Sequence, residues 1–322
     1  MSVLSKSYFH DEAEAFKFLE RIIWGDEIVC PHCGACGERV YALEGVRTKP
    51  SKKHPKGKVR HGLKKCGECR KQFTVKVGTV FEHGRIPLHK MLQGVYLMTS
   101  SKKGISAHQL HRTLEITYKS AWFLAHRIRE AMRDGQLDPF GGEGGKVQAD
   151  ETYIGRKQGV KKHPRAGGFG HKMTVVSLLD ERTGKARSIH AKDMGKGIVA
   201  QIVKDNVHRE SRLITDEARH YKAVGRLFAD HESVFHGGRE YVRGDITTNH
   251  IEGYFSIFKR GMRGVYQHCG EKHLHRYLAE FDFRYSNREA NGVNDEARHI
   301  EAVKGIVGKR LTYRRAGEWA EA

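Results

Sequence analysis

The spacing of the cysteines constrains this 322-residue chain more than any other feature. Cys30-Pro-His-Cys33-Gly and Cys66-Gly-Glu-Cys69 are two C-x-x-C knuckles, each with a Gly where the chain must fold back under a metal. In a chain whose start lacks the charged-then-apolar order of a signal peptide, such pairs read as metal ligands before disulfides. Four thiolates bring four negative charges to one Zn²⁺ and form a closed, tetrahedral structural site. The set Cys30, Cys33, Cys66 and Cys69 leaves two alternatives open, Cys36 in place of Cys33 and His32 as an intruding ligand. Redox chemistry is the competing use of a C-x-x-C pair. The 32 residues from Gly34 to Lys65 exceed the usual spacing, so this zinc ribbon carries a long inserted loop.

From Arg47 to Lys65 that loop holds Arg47, Lys49, Lys52, Lys53, Lys56, Lys58, Arg60, Lys64 and Lys65 and no acid. A charge run is often a solvated face, but nine cations without a counter-charge repel one another unless phosphates neutralise them. The whole chain leans the same way, with 58 Lys and Arg against 38 Asp and Glu and a net charge of +20. Such an excess favours a polyanionic partner, most simply nucleic acid. No apolar run approaches the roughly 18 residues of a membrane span, so a membrane protein is excluded and a secreted one disfavoured.

From Pro87 to Met132 the apolar spacing is helical. Ser106-Ala-His-Gln109 fits a capping box, a short helix runs to Leu114, and Glu115-Ile-Thr117 precedes a second helix from Tyr118 to Met132. Two helices on a tight turn suggest a helix-turn-helix, with Tyr118, Lys119 and Ser120 opening the recognition helix and Arg127 on the same broad surface. An ordinary helical hairpin is the alternative. Gly141-Gly-Glu-Gly-Gly145 reads as a linker.

Beyond it the rhythm becomes that of an α/β layer. Strands are predicted over Val147–Ile154, Lys172–Asp180, Ala186–Ala191 and Arg212–Asp216, with helices near 197–207, 250–263 and 272–287. Two acids stand out. Asp150 lies inside an otherwise apolar strand and Asp216 ends another, and strand ends of open α/β sheets are where ligands collect. Glu252 begins the later helix, and Lys259 lies two turns on along the same face with Ser256 and Arg263. Ile251, Phe255, Phe258 and Met262 form the opposing core stripe. Three carboxylates suit two Mg²⁺ or Mn²⁺ ions that clamp an in-line phosphoryl displacement. Each acid also has a structural reading: Asp150 or Asp216 as a cap, and Asn249-His-Ile-Glu252 as a capping box.

Gln148-Ala-Asp150-Glu-Thr-Tyr-Ile-Gly155, Thr215-Asp216 and Thr248-Asn-His-Ile-Glu-Gly-Tyr-Phe-Ser-Ile-Phe-Lys-Arg-Gly261 closely resemble insertion-sequence DDE transposases with N-terminal zinc ribbons, the bacterial group related to eukaryotic Merlin elements. Cys30-Pro-His-Cys-Gly34, Arg276-Tyr277 and Phe283-Arg-Tyr285 resemble that family too, and the resemblance spans roughly residues 10 to 75 and 146 to 288. It implies an RNase H-like core with Asp150 and Asp216 as the first two acids, Glu252 as the third with Asn249 in reserve, and Lys259 as the basic helix residue. The 35 residues between Asp216 and Glu252 look like the family spacing.

The resulting expectation is a DNA transposase in four parts: a zinc-ribbon DNA-binding domain (1–85), a helical segment (86–140), a catalytic domain (146–290) and a C-terminal tail (291–322). It would bind terminal inverted repeats, cleave at the element end and join the 3′-hydroxyl to target DNA, acting as a dimer or larger assembly. The implied location is cytoplasmic, bacterial and nucleoid-associated. A hydrolytic nuclease of the same fold and a non-catalytic zinc-dependent DNA-binding protein are the alternatives.

If the loop cations contact phosphate, each contact adds about 0.9 to the slope of log affinity against log salt. Replacing Lys52, Lys53 and Lys56 by Gln is expected to flatten that slope without changing the preferred sequence. An unchanged slope in salt-titrated DNA binding would reduce the run to a solvated face.

Overall fold

A computed structural model of the chain describes residues 2–52, 54–135, 138–161, 168–192, 196–235 and 242–312. Two compact units emerge, one from the chain up to Ser100, Ser106–Met132 and the stretch from Asp295 onward, the other from Ser101–Ile105 and Arg133–Asn294.

In the first unit Asp11 caps α1 (Glu12–Trp24), its carboxylate accepting the Glu14 N–H at 2.8 Å. Strands β1 (Val40–Ala42), β2 (Lys64–Cys66) and β3 (Gln72–Phe73) form an antiparallel sheet in chain order. The long insertion between β1 and β2 is itself a hairpin, with Arg47 bridged to Val59 and Ser51 to His54. Gly57 permits it: at φ +68° the chain is left-handed, and a Cβ there would lie 2.1 Å from the Thr48 carbonyl oxygen. Helix α2 (Leu88–Ser100) follows Pro87 and takes its cap from elsewhere. The Glu12 carboxylate accepts the N–H groups of Leu88 and His89 at 2.8 and 3.1 Å. Helices α3 (Ala107–Leu114) and α4 (Tyr118–Ala131) follow the sequence signals closely. Ser106 accepts the Gln109 N–H, Glu115 turns the chain in the left-handed region, and Thr117 caps α4.

The second unit is a three-layer α/β structure. Its strands are β4 (Lys146–Ile154), β5 (Met173–Asp180), β6 (Ala186–Ala191), β7 (Arg212–Thr215) and β8 (Asp230–Ser233), interleaved with α5 (Lys196–Asn206) and α6 (Arg219–Gly225). A short hairpin of β9 (Val242–Arg243) and β10 (Ile246–Thr247) leads into α7 (Asn249–Gly261), and α8 (Leu274–Ser286) follows. The sheet order is β6-β5-β4-β7-β8. The first three strands are antiparallel neighbours, whereas β7 runs parallel to β4 and β8 parallel to β7. This is the expected mixed sheet flanked by helices, RNase H-like in its strand order.

Each sheet face has its own core. Ile154, Met173, Val175 and Leu179 meet Ile251, Phe255, Phe258, Leu278 and Phe281 from α7 and α8. Val147, Ala149, Val176, Leu178 and Leu213 meet Val199, Val203, Tyr221 and Val224 from α5 and α6. Strand β5 is consequently buried at every residue, as a central strand covered on both faces must be.

The structure departs from the sequence reading in four places. Strand β8 was not expected, because Asp-His-Glu-Ser lacks apolar alternation; it is an edge strand held by β7 alone. Helix α7 stops at Gly261 and continues as a π-helical turn, Met262–Tyr266, rather than running to Arg263. The glycine stretch is anchored instead of loose, since the Gly142 N–H donates to Ser211 Oγ at 3.1 Å within the second unit. The C-terminal tail contains α9 (Asp295–Lys304), which belongs to the first unit.

On α9, His299 is fully buried beside the rings of Tyr8, Phe9, Phe18 and Tyr96, with centroids 5.4–6.2 Å away. Burial, reinforced by Lys6, pushes its pKa down to about 3. The unfolded chain binds a proton near 6.5 that the folded chain refuses, so stability falls as pH drops from about 6.5 toward 3, by up to about 1.4 kcal/mol per unit. His299→Phe is expected to lessen this loss, measured as the urea midpoint at pH 7 against pH 5. An identical pH dependence in both proteins would refute the assignment.

Candidate active site and zinc site

Strand pairing brings the acids together. Lys146, Val147 and Gln148 pair in parallel with Arg212, Leu213 and Ile214, and the same register carried forward sets Asp216 level with Asp150. Beyond Gln148 the two strands part, because β7 ends at Thr215. Asp150 therefore lies mid-strand, paired with Ser177 on the β5 side, and does not cap a strand end. Its Oδ1 accepts the Glu151 N–H at 2.7 Å. Asp216 Oδ1 accepts the Ala218 N–H at 2.9 Å, an Asx turn rather than a cap on α6, whose cap residue is Ala218. Glu252, exposed in the first turn of α7, accepts the Thr248 hydroxyl at 3.0 Å.

The three acids share one electrostatic environment. Burial pushes the Asp150 pKa up to about 8, and Asp216, Glu151 and Glu252 push in the same direction. Like charges gathered in a partly desolvated site disfavour ionisation unless a cation joins them. Lys259 is drawn down by burial and by Arg263 and Lys172, while Asp150 draws it up. Its ammonium stands 5.7 Å from the Phe255 ring centroid. The apolar stripe of Ile251, Phe255, Phe258 and Met262 is buried, and Glu252, Ser256 and Arg263 are exposed, as the helical spacing requires.

Asn249 is not the cap of α7. It is the first helical residue, exposed, and Thr248 occupies the cap position. Deeper in the helix, Tyr254 fastens α7 to the unit: its hydroxyl donates to Asp282 Oδ1 at 2.6 Å, and Ser188 Oγ donates to the same oxygen at 2.7 Å.

In the ribbon Cys30, Cys33, Cys66 and Cys69 bring their sulfurs within 4.8 Å of one another, the only such metal-ligand cluster among the described residues. The Cys30–Cys69 and Cys33–Cys66 separations are 3.7 and 3.6 Å. A tetrahedron with Zn–S bonds of about 2.3 Å has edges of about 3.8 Å, so the donor set fits one Zn²⁺. The Cys69 backbone N–H holds the Cys66 thiol down to about 7, favouring the thiolate. Cys36 lies outside the cluster and interacts with Glu27, and His32 packs edge-on to Phe73. Both alternatives fall away.

Residues 10–72 match the transposase zinc-ribbon domain, and residues 143–286 match the ISXO2-like transposase domain. The chain belongs to the zinc-ribbon insertion-sequence transposases. It is 27% identical over 288 residues to an uncharacterized protein in transposable element ISH50 of Halobacterium salinarum, covering 86% of this chain and 91% of that one. Remote likenesses occur among solved structures. One is the simian T-cell lymphotropic virus intasome bound to a PP2A regulatory subunit, at 12% identity and TM-score 0.28, spanning 60% of this chain and 65% of that one. Another is a pre-cleavage Mos1 transpososome, at 11% identity and TM-score 0.28, spanning 67% and 74%. No helix among the described residues of this transposase is long and apolar enough to cross a membrane.

The residues expected to touch DNA are placed unevenly. Lys52, Lys56, Lys58 and Arg60 are exposed on the inserted hairpin, and Lys53 lies outside the described residues. Of the same cationic run, Lys64 is buried against Glu20 at 3.0 Å. Tyr118 is 44% exposed at the start of α4, its ring stacked on His108 at 4.3 Å, and Lys119 is exposed beside it. Arg127 is corrected: it is only 9% exposed, its guanidinium 4.8 Å from the Phe123 ring centroid and beside Gly84, so it does not share the Tyr118 surface. Sequence reasoning missed Lys172 and Gln148, whose places at the site depend on strand pairing and on a partner 103 residues away.

The zinc site yields a paired test. Cys66→Ser is expected to lose zinc and unfold the ribbon, which is too small to fold on its core alone, whereas Cys36→Ser keeps both. Metal analysis and hydrogen exchange of the full chain check this; zinc retained in Cys66→Ser would sink the assignment.

Proposed function

We propose that this chain is the active transposase of its element, using Asp150, Asp216 and Glu252 as the catalytic acids. The reading rests on one juxtaposition: the parallel register sets Asp216 level with Asp150, and Asp216 together with Glu252 at the start of α7 adds to burial in disfavouring ionisation of Asp150. Oxygen donors of this kind suit Mg²⁺ or Mn²⁺, and two such ions supply the charge that activates water and stabilises the departing oxygen. Asp150, Asp216 and Glu252 are the residues that would hold the ions. In the first step water attacks the phosphodiester at the element end, the P–O3′ bond breaks, and a 3′-hydroxyl is released. That hydroxyl then attacks a target phosphodiester, forming a new P–O bond as a second P–O3′ bond breaks. Lys259, on the Glu252 face of α7, and Arg263, in the π-helical turn that follows it, hold the phosphate.

Binding of the terminal repeats falls to the zinc ribbon, its cationic hairpin with Lys52, Lys53, Lys56, Lys58 and Arg60, and the exposed start of α4 with Tyr118 and Lys119. Because transposition joins two ends, a dimer or larger assembly on DNA is part of the reading, as is a cytoplasmic, nucleoid-associated location.

Glu252→Gln keeps a hydrogen-bond acceptor for Thr248 but loses the charge a metal requires. It is expected to bind end DNA normally while losing cleavage and strand transfer, as Asp150→Asn and Asp216→Asn should. Asn249→Ala is expected to retain activity and, since Asn249 is not the cap, near-wild-type stability. Active Glu252→Gln with inactive Asn249→Ala would move the third position to Asn249. Precut ends that are hydrolysed and never joined would establish a nuclease instead.

A further inference from the structure

We infer that Gln148 is a positioning residue that locks the Glu252 helix to the Asp150 strand by capping α7 from outside the helix. This rests on reading Asp150 and Glu252 as the catalytic acids. A helix start leaves its first N–H groups without intrahelical partners, and a cap residue's side chain ordinarily accepts from the second or third of them. Thr248 occupies the cap position of α7 yet makes no such bond; its hydroxyl donates to Glu252. The acceptor arrives from β4. Gln148 Oε1 accepts the N–H of Ile251, the third helical residue, at 3.0 Å in a buried contact.

The amide can face only one way. Gln148 is fully buried, and its Nε2 donates to Glu181 Oε1 at 2.6 Å, with His250 Nδ1 3.4 Å from the same nitrogen. A flipped amide would set its NH₂ against the Ile251 N–H and its oxygen against the Glu181 carboxylate, losing both bonds. Position 148 is two residues from Asp150 on the same strand face, and Ile251 immediately precedes Glu252. One side chain thus spans the two elements that carry the outer members of the acid set, and fixes the rotation and advance of the helix start against the strand. Residues that orient metal-holding carboxylates ordinarily matter about 10- to 100-fold.

The test uses the full chain, precut and uncut end DNA, and Mn²⁺ as the metal. Gln148→Leu removes the acceptor at similar bulk. It is expected to raise the Mn²⁺ concentration for half-maximal cleavage about 10- to 100-fold while end-DNA binding stays at the wild-type level. A purely structural role would reduce the folded fraction and DNA binding together and leave the metal requirement where it was. Gln148→Glu alone sets two carboxylates against each other and should be impaired; combined with Glu181→Gln it restores one acceptor for Ile251 and one donor between the pair, and should recover the wild-type metal requirement. Unchanged half-saturation in Gln148→Leu overturns the proposal. If that variant does not fold, a double variant no better than Gln148→Glu alone overturns it. Asp150→Asn distinguishes the two levels: wild-type cleavage there removes the catalytic reading itself, whereas an inactive Asp150→Asn beside a normal Gln148→Leu removes only the role of Gln148.

Discussion

Three parallel residue pairs between β4 and β7 decide where the proposed catalytic acids fall. They set Asp216 level with Asp150, and because β7 stops at Thr215 while β4 continues to Ile154, the sheet opens at that level. On its other side β4 stays bonded to β5 along eight residue pairs, so the strand cannot bend into the gap it borders. A strand slip of one residue would turn Asp150 toward the α5 and α6 core, where Val147 and Ala149 now pack. The register therefore protects the core and the carboxylate arrangement with the same hydrogen bonds.

Electrostatics gives that arrangement its sense. In a chain of net charge +20, Asp150 lies among acids rather than in an ion pair, and Lys259 on α7 is a cation that feels its charge. Elsewhere the protein pairs its acids generously: Arg212 meets Asp230, Glu232 and Asp245, and Arg284 lies beside the buried Glu280 at 2.6 Å. Crowded like charges stand out against that background, and they are what a divalent cation would neutralise.

Much of the fold was legible because local chemistry and tertiary placement agree. The apolar runs of β4 and β5, the Ser106 cap and the stripe on α7 each follow from periodicity that the cores then use. The candidate acids stood out as a carboxylate inside an apolar strand, a strand end and a helix start, although only the parallel register brings Asp150 and Asp216 level. Failures occurred where a distant neighbour decides. Arg127 lies on a helix whose spacing identifies faces, but spacing does not reveal that Gly84 and Phe123 cover it. Asn249 looked like a cap because Glu252 follows at capping-box distance; the chain enters the helix one residue earlier, and Gln148 supplies the missing acceptor. Strand β8 is polar because it is an edge, and α1 hides that Glu12 also serves the start of α2.

The return of the chain through α9 bears on how the molecule is made. Helix α9 packs against α2 and α4, so the first unit contains segments that come before and after most of the sheet-bearing unit in the sequence. During synthesis the zinc ribbon and α1 emerge early, yet the layer containing His299, Ala302 and Val303 stays incomplete until α9 leaves the ribosome. The sheet-bearing unit, whose segments end at Asn294, is fully synthesised before then. A nonsense mutation just before Asp295 would thus spare every strand and helix around the candidate acids while stripping the zinc-ribbon unit of its closing layer.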